Sequence, residues 1–393
     1  MTKQKQQTAF HALRAPIIDL PTQNIADLAK SAFGRDDVIP LWFGEGDMDT
    51  PDFIKDAACR ALAEGHTFYT FQNGIPELRD ALADYLGALH QRPIERQRIS
   101  VTTGGMGAML LAIELTVGEG DNVVVVDPVW PNINGAVRIM GGHTRSVPMS
   151  LGNDGWQLDL ERLKERCDER TRAIFFASPG NPTGWIMPRE QQRALLDFAR
   201  QRGLWLISDE VYSRLAFDRP AAPSFLEIIE PEDRVFVVNS FSKSWSMTGW
   251  RMGWLVHPPS LENSIAQVVQ YTTSGTTTFL QHAGVAAISK GEDYIRQMTE
   301  HCRIGRDIVF DVLEKLPRVR YGARPQGAMY AFFTVEGEPD ARKFCAEILH
   351  KTGVGLAPGF NFGPGVDDFI RLCFCRSHEQ LREAMGRLEE ILR

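Results

Sequence analysis

The chain has 393 residues, 43% of them hydrophobic and 24% charged, with a formal net charge of −7. That length supports a large core and up to two domains, and the composition is that of an ordinary globular protein. An excess of acid over base argues against nucleic acid or an acidic membrane surface as partner.

Six cysteines are too few and too scattered for a disulfide framework. Cys373 and Cys375 share one face of an expected strand, but no second Cys or His pair stands nearby, so no metal is expected. The first seven residues are polar and no apolar run approaches membrane-spanning length. These features place the protein in the reducing cytoplasm, away from membranes.

In chain order, the first 45 or so residues read as irregular and end in Leu41-Trp42-Phe43-Gly44-Glu45-Gly46-Asp47. From about 50 to 285, short apolar runs alternate with helical segments. Ile99–Thr103 predicts a strand and Met106–Leu115 a helix; Asn122–Asp127, Arg172–Ala177, Leu204–Asp209 and Arg234–Asn239 predict further strands. Continuous apolar strands separated by helices predict a mostly parallel sheet covered on both faces. Beyond about 290, helical periodicity alternates with the shorter strands Ala328–Phe333 and Phe369–Phe374. The fold class is therefore α/β: a large domain with a mostly parallel sheet sandwiched by helices, plus a smaller α+β domain. The expected boundaries are 1–48 for an N-terminal arm that is part of the small domain, 49–286 for the large domain and 287–393 for the small one.

In such sheets ligands bind outside the carboxyl ends of the strands, and the polar residues of interest fall there. Gly104-Gly105-Met106-Gly107 lies between a strand and a helix, where free N–H groups favour an anion. It lacks the third glycine of a dinucleotide fingerprint. Ser178-Pro179-Gly180-Asn181-Pro182-Thr183-Gly184 is dense in turn formers, and a plain turn would explain its prolines and glycines. The amide of Asn181 can also donate to a phenolate oxygen. Asp209 closes an apolar strand, where a carboxylate either caps a helix or needs a cation such as a pyridinium nitrogen. Tyr212, three residues on, can reach the same oxygen as Asn181.

Lys243, in Ser240-Phe241-Ser242-Lys243-Ser244-Trp245, follows the strand Arg234–Asn239. Desolvation at a strand end lowers the pKa of a lysine and frees its amine for Schiff-base chemistry. Ser240, Ser242 and Arg251 add the hydroxyls and guanidinium fork that suit a phosphate monoester. An aldehyde cofactor carrying a phosphate is pyridoxal phosphate.

With these segments in this order, the chain resembles the class I/II aminotransferases, fold-type I pyridoxal-phosphate enzymes, from about Trp42 to the C-terminus. The most specific motifs are Ser-Pro-Gly-Asn-Pro-Thr-Gly at 178–184, Ser-Asp-Glu-Val-Tyr at 208–212 and Ser-Phe-Ser-Lys followed by Thr-Gly-Trp-Arg-Met-Gly within 240–253. The resemblance implies that Lys243 links to the cofactor and shuttles the proton, and that Asp209 pairs with the pyridinium. Asn181 and Tyr212 then hold the phenolate oxygen. Ser240, Ser242, Arg251 and the backbone of Gly105 and Met106 hold the phosphate, and Trp130 stacks on the ring. Arg371 matches the arginine that grips the substrate α-carboxylate, and Gly44 the glycine beside the substrate. Tyr69 matches a tyrosine that reaches the phosphate of the neighbouring subunit, which implies a homodimer with shared sites.

The implied activity is amino-group transfer between an α-amino acid and a 2-oxo acid. A β-elimination C–S lyase or a racemase on the same fold is the alternative within the cofactor class, since fold alone does not fix the reaction. A metabolite-sensing regulator is the non-enzymatic one, and it lacks a DNA-binding module before residue 40. Two departures bear on substrate. The segment 267–278 contains no arginine or lysine, and Met106 stands where one branch of the family has a lysine. Trp42, Phe43, Met106 and Trp130 are expected to form an apolar side-chain pocket, with Arg14 or Arg35 as cations able to swing in.

Overall fold

A computed structural model describes residues 13–18, 20 and 24–393. Seven strands form the large sheet: β1 (Ile99–Thr102), β2 (Asn122–Asp127), β3 (His143–Pro148), β4 (Thr171–Ala177), β5 (Trp205–Asp209), β6 (Val235–Ser240) and β7 (Gly253–Val256). Their spatial order is β1-β7-β6-β5-β4-β2-β3. β7 runs antiparallel to β1 and β6, and the other pairings are parallel.

Both faces of the sheet are dry, and alternate residues of a strand enter different cores. Val124 and Val126 of β2, Ile174 and Phe176 of β4, and Val235 and Val237 of β6 pack on one face. They meet helices α1 (Asp52–Ala63), α2 (Pro76–His90), α4 (Arg189–Arg202) and α5 (Thr278–Lys290). Val123, Val125, Phe175, Phe236 and Val238 pack on the other face against α3 (Gly104–Thr116). This is why the strands read as continuous apolar runs rather than alternating ones.

A second, antiparallel sheet follows in the order β8 (Val319–Arg320), β9 (Tyr330–Val335), β11 (Phe369–Cys373), β10 (Ala357–Pro358). Its core joins Phe333 and Leu372 to α6 (Glu292–Leu313), α7 (Ala341–Thr352) and α8 (His378–Leu392) through Phe310, Phe344 and Leu388. Residues Ile39–Pro40 pair in parallel with Val354–Gly355, so the segment before α1 packs with this second layer.

The sequence reading differs from the structure in several places, three of which bear on the two sheets. The segment before residue 45 contains a helix, Asn24–Ser31. Strand β3 was not predicted because His-Thr-Arg-Ser-Val-Pro is polar, as suits an edge strand. β7 was not predicted because it is only four residues long, Gly-Trp-Leu-Val.

Candidate active site

The carboxyl ends of β4, β5 and β6 and the first turn of α3 converge on a cavity of about 370 Å³. Gly44, Gly105, Met106, Trp130, Asn181, Asp209, Tyr212, Ser240, Ser242, Lys243, Arg251 and Arg371 all line it; Tyr69 does not.

Lys243 sits in the turn after β6, and its neighbours explain why that turn is rigid. Phe241, Trp245 and Met247 are buried in the core below, and Trp245 donates its indole N–H to the Ala287 carbonyl at 3.0 Å. The intervening Ser242 and Lys243 are left facing the cavity. Lys243 Nζ donates to the Gly44 carbonyl at 2.5 Å and lies 5.8 Å from the centroid of the Tyr212 ring. Desolvation lowers its pKa. A larger recess of about 790 Å³ also reaches Lys243, but its lining contains neither Asp209 nor Arg251.

Asp209, the last residue of β5, is buried. Its Oδ1 accepts only from the Val211 N–H at 3.2 Å, and burial pushes its carboxyl up to about 7. Such a group gains most from a cation placed against it. Ser240 Oγ and Ser242 Oγ are 2.9 Å apart. The Arg251 guanidinium lies against the start of α3, where a Cβ on Gly104 would be 2.8 Å from Nη2. Two hydroxyls, a guanidinium and a helix N-terminus thus share one corner, a donor set that fits a phosphate.

Arg371, in the middle of β11, reaches the cavity from the second sheet. Its Nη1 donates to Asn181 Oδ1 at 2.8 Å and its Nη2 to the Trp42 carbonyl at 2.5 Å. Its guanidinium carbon lies 4.5 Å and 4.7 Å from the ring centroids of Tyr330 and Phe362. The oxygen of Asn181 is thereby committed to Arg371, which leaves its amide NH₂ to face the cavity.

Three expectations change. Trp42 contributes its carbonyl, while its ring packs against Gly355 outside the cavity. Arg35 forms a two-point pair with Asp37, at 3.1 and 2.6 Å, on the surface. Arg14 donates to the Ile139 carbonyl at 3.4 Å, and neither arginine lines the cavity. The N-terminal helix supplies Ile25 there instead. Tyr69 is 96% exposed, and Phe68, Phe71 and Tyr271 are exposed as well.

The sequence reading missed Tyr330, Asn361 and Phe362 as lining residues. A tyrosine inside an apolar strand was the available signal for the first, since a buried hydroxyl needs a partner. Asn361 and Phe362 lie on a short loop helix after β10, and no local pattern marks them.

Asp127, at the end of β2, is a buried carboxyl outside this cavity. Its Oδ1 has no hydrogen-bond partner, and burial pushes its pKa up to about 7. An unfolded aspartate titrates near 3.9, so the folded chain holds an extra proton between about pH 4 and 7. That contribution is complete below about pH 4, fades as pH rises and is lost above about 7. Relative to the parent, Asp127→Asn should therefore gain stability from pH 5 to pH 8, by up to roughly 2.5 kcal/mol. Thermal unfolding at the two pH values measures this, and an unchanging difference would mean that Asp127 stays ionised.

Residues 36–388 match the family of class I and II aminotransferases. A probable aspartate/prephenate aminotransferase of Aquifex aeolicus is 37% identical over 385 residues, 95% of each chain. The crystal structure of aspartate aminotransferase from Thermotoga maritima superposes with a TM-score of 0.90 at 33% identity, covering 97% of this chain and 100% of that one. YbdL of Escherichia coli, whose reactivity identifies a methionine aminotransferase function, superposes with a TM-score of 0.87 at 26% identity, covering 96% and 99%. The family match over residues 36–388 makes this an enzyme of group transfer. The chain belongs to the class I and II aminotransferase family. Its reaction is the movement of an amino group between an amino acid and a 2-oxo acid, which the relatives' names favour over elimination or racemisation. Among the described residues, no helix is long and apolar enough to cross a membrane and no cluster of ligands suits a metal ion.

Proposed function

We propose that the cavity holds pyridoxal 5′-phosphate linked to Lys243, and that the enzyme transfers amino groups from apolar or aromatic amino acids. The observation that carries this reading is one cavity in which a desolvated lysine, an unpaired buried carboxylate and a phosphate-type cradle face one another.

When bound, the cofactor would supply an electron sink that makes the Cα proton of the amino acid removable. Ser240, Ser242, Arg251 and the N–H groups of Gly105 and Met106 hold its phosphate. Asp209 keeps its ring nitrogen protonated, Asn181 and Tyr212 donate to its phenolic oxygen, and Trp130 covers the ring. Arg371 grips the α-carboxylate, with the Gly44 backbone alongside. Nζ of Lys243 takes the proton from Cα and returns it. We also propose that Tyr69 completes the site of a second copy in a homodimer; the exposed rings of Phe68, Tyr69, Phe71 and Tyr271 support such an interface. The two lobes would divide near residue 286.

The substrate preference rests on the lining. Among the described residues its basic side chains are Lys243, Arg251 and Arg371, each already assigned, while Ile25, Phe43, Met106, Trp130 and Phe362 are apolar. A distal carboxylate buried there without a cation is costly. The test mixes holoenzyme with single amino acids and follows the cofactor absorbance, then reduces with borohydride and maps the labelled peptide. Leucine, methionine and phenylalanine should react faster than aspartate, by about tenfold or more, and the label should fall on Lys243. A label elsewhere would sink the site assignment. Much faster reaction of aspartate would sink the apolar pocket.

A further inference from the structure

Tyr330, on β9, is 1% exposed and touches three separate parts of the site. Its hydroxyl lies 2.6 Å from that of Tyr212. Its ring lies 4.5 Å from the Arg371 guanidinium carbon. It also occupies the space beside Gly44, where a Cβ would come within 1.9 Å of its hydroxyl oxygen. The Gly44 carbonyl in turn accepts from Lys243. One side chain thus adjoins the tyrosine, the arginine and the loop that hold the reacting groups.

Burial holds both phenols neutral, so a single hydrogen fills the contact between the two hydroxyls. If Tyr212 donates into the cavity, its oxygen must accept from Tyr330. A phenylalanine at 330 would leave Tyr212 free to turn and would make it a weaker donor, because chains of hydrogen bonds polarise one another. The ring of Tyr330 acts separately. Its face meets a buried guanidinium in low dielectric, where cation–π attraction is strongest.

We infer that Tyr330 is a positioning residue for amino-group transfer, its hydroxyl turning the Tyr212 proton into the cavity and its ring fixing the Arg371 fork. This rests on the cofactor seat proposed above, and the two parts predict different losses.

The experiment compares Tyr330→Phe and Tyr330→Leu holoenzymes with the parent by pH titration of the cofactor's visible absorbance and by steady-state kinetics. A phenolic oxygen with a weaker donor lets the cofactor hold its neighbouring proton more tightly. The absorbance midpoint should therefore rise by about half a pH unit in both variants. Tyr330→Phe keeps the ring, so KM for the amino acid should stay within about twofold. Tyr330→Leu should raise KM by about tenfold. An unmoved midpoint in Tyr330→Phe overturns the hydroxyl role, and an unmoved KM in Tyr330→Leu overturns the ring role. If Tyr330→Leu does not fold, the Tyr330→Phe midpoint decides alone. Borohydride labelling of Lys243 in the parent separates these failures from a failure of the cofactor seat, because that label does not depend on Tyr330.

Discussion

Lys243→Ala should lower turnover by about 10⁴-fold or more while the protein still takes up its cofactor. Among the described residues, Nζ of Lys243 is the only lysine amine lining the 370 Å³ cavity, so no second amine is placed there to move the proton in its stead. The cradle of Ser240, Ser242 and Arg251 and the carboxylate of Asp209 belong to other side chains and stay in place. Cofactor content after gel filtration, read beside kcat, separates the two effects. Turnover within tenfold of the parent would show that another base serves the reaction.

Asp209→Ala should cost about 10²–10³-fold in kcat, the usual scale for removing one preorganised electrostatic partner. The carboxylate is buried at the end of β5 with one backbone N–H as its hydrogen-bond donor, and burial pushes its pKa up to about 7. A protonated ring nitrogen would give the ionised form the partner it lacks, and that ionised form would keep the ring protonated in return. Asp209→Asn keeps the shape and removes the charge, so it should lose nearly as much. Near-normal turnover in Asp209→Asn would end the ion-pair assignment.

How much could be read from the chain follows from the range of the forces involved. β2, β4, β5 and β6 are buried on both faces, so their runs of Val, Ile and Phe carry the sheet in the sequence itself. The polar residues that follow each run could be placed at one sheet end because the rule for parallel sheets is topological. The edge strand β3 escaped because an exposed edge has no reason to be apolar. Tyr330 and Phe362 escaped for a different reason. They meet residues beside the large sheet across long sequence separations, Tyr212 to Tyr330 and Val129 to Phe362 among them, and no local pattern encodes which strand of the second sheet faces the first. Arg35 rests at the surface because its partner, Asp37, is a neighbour in sequence.

The fork of Arg371 has a consequence for which molecules can enter. Both of its Nη atoms are already engaged by neutral acceptors of the protein, the Asn181 amide oxygen and the Trp42 carbonyl, while Nε has no partner. Each Nη carries a second hydrogen, so with Nε–H three donors of the guanidinium are left for a ligand. Hydrogen bonds to an ionised acceptor are roughly twice as strong as those to a neutral one, so a carboxylate gains most from this buried fork. An amide or an ester brings no charge to meet the guanidinium. If Arg371 grips the substrate as proposed, the fork would favour free amino acids over the same side chains presented as amides, esters or interior residues of a peptide.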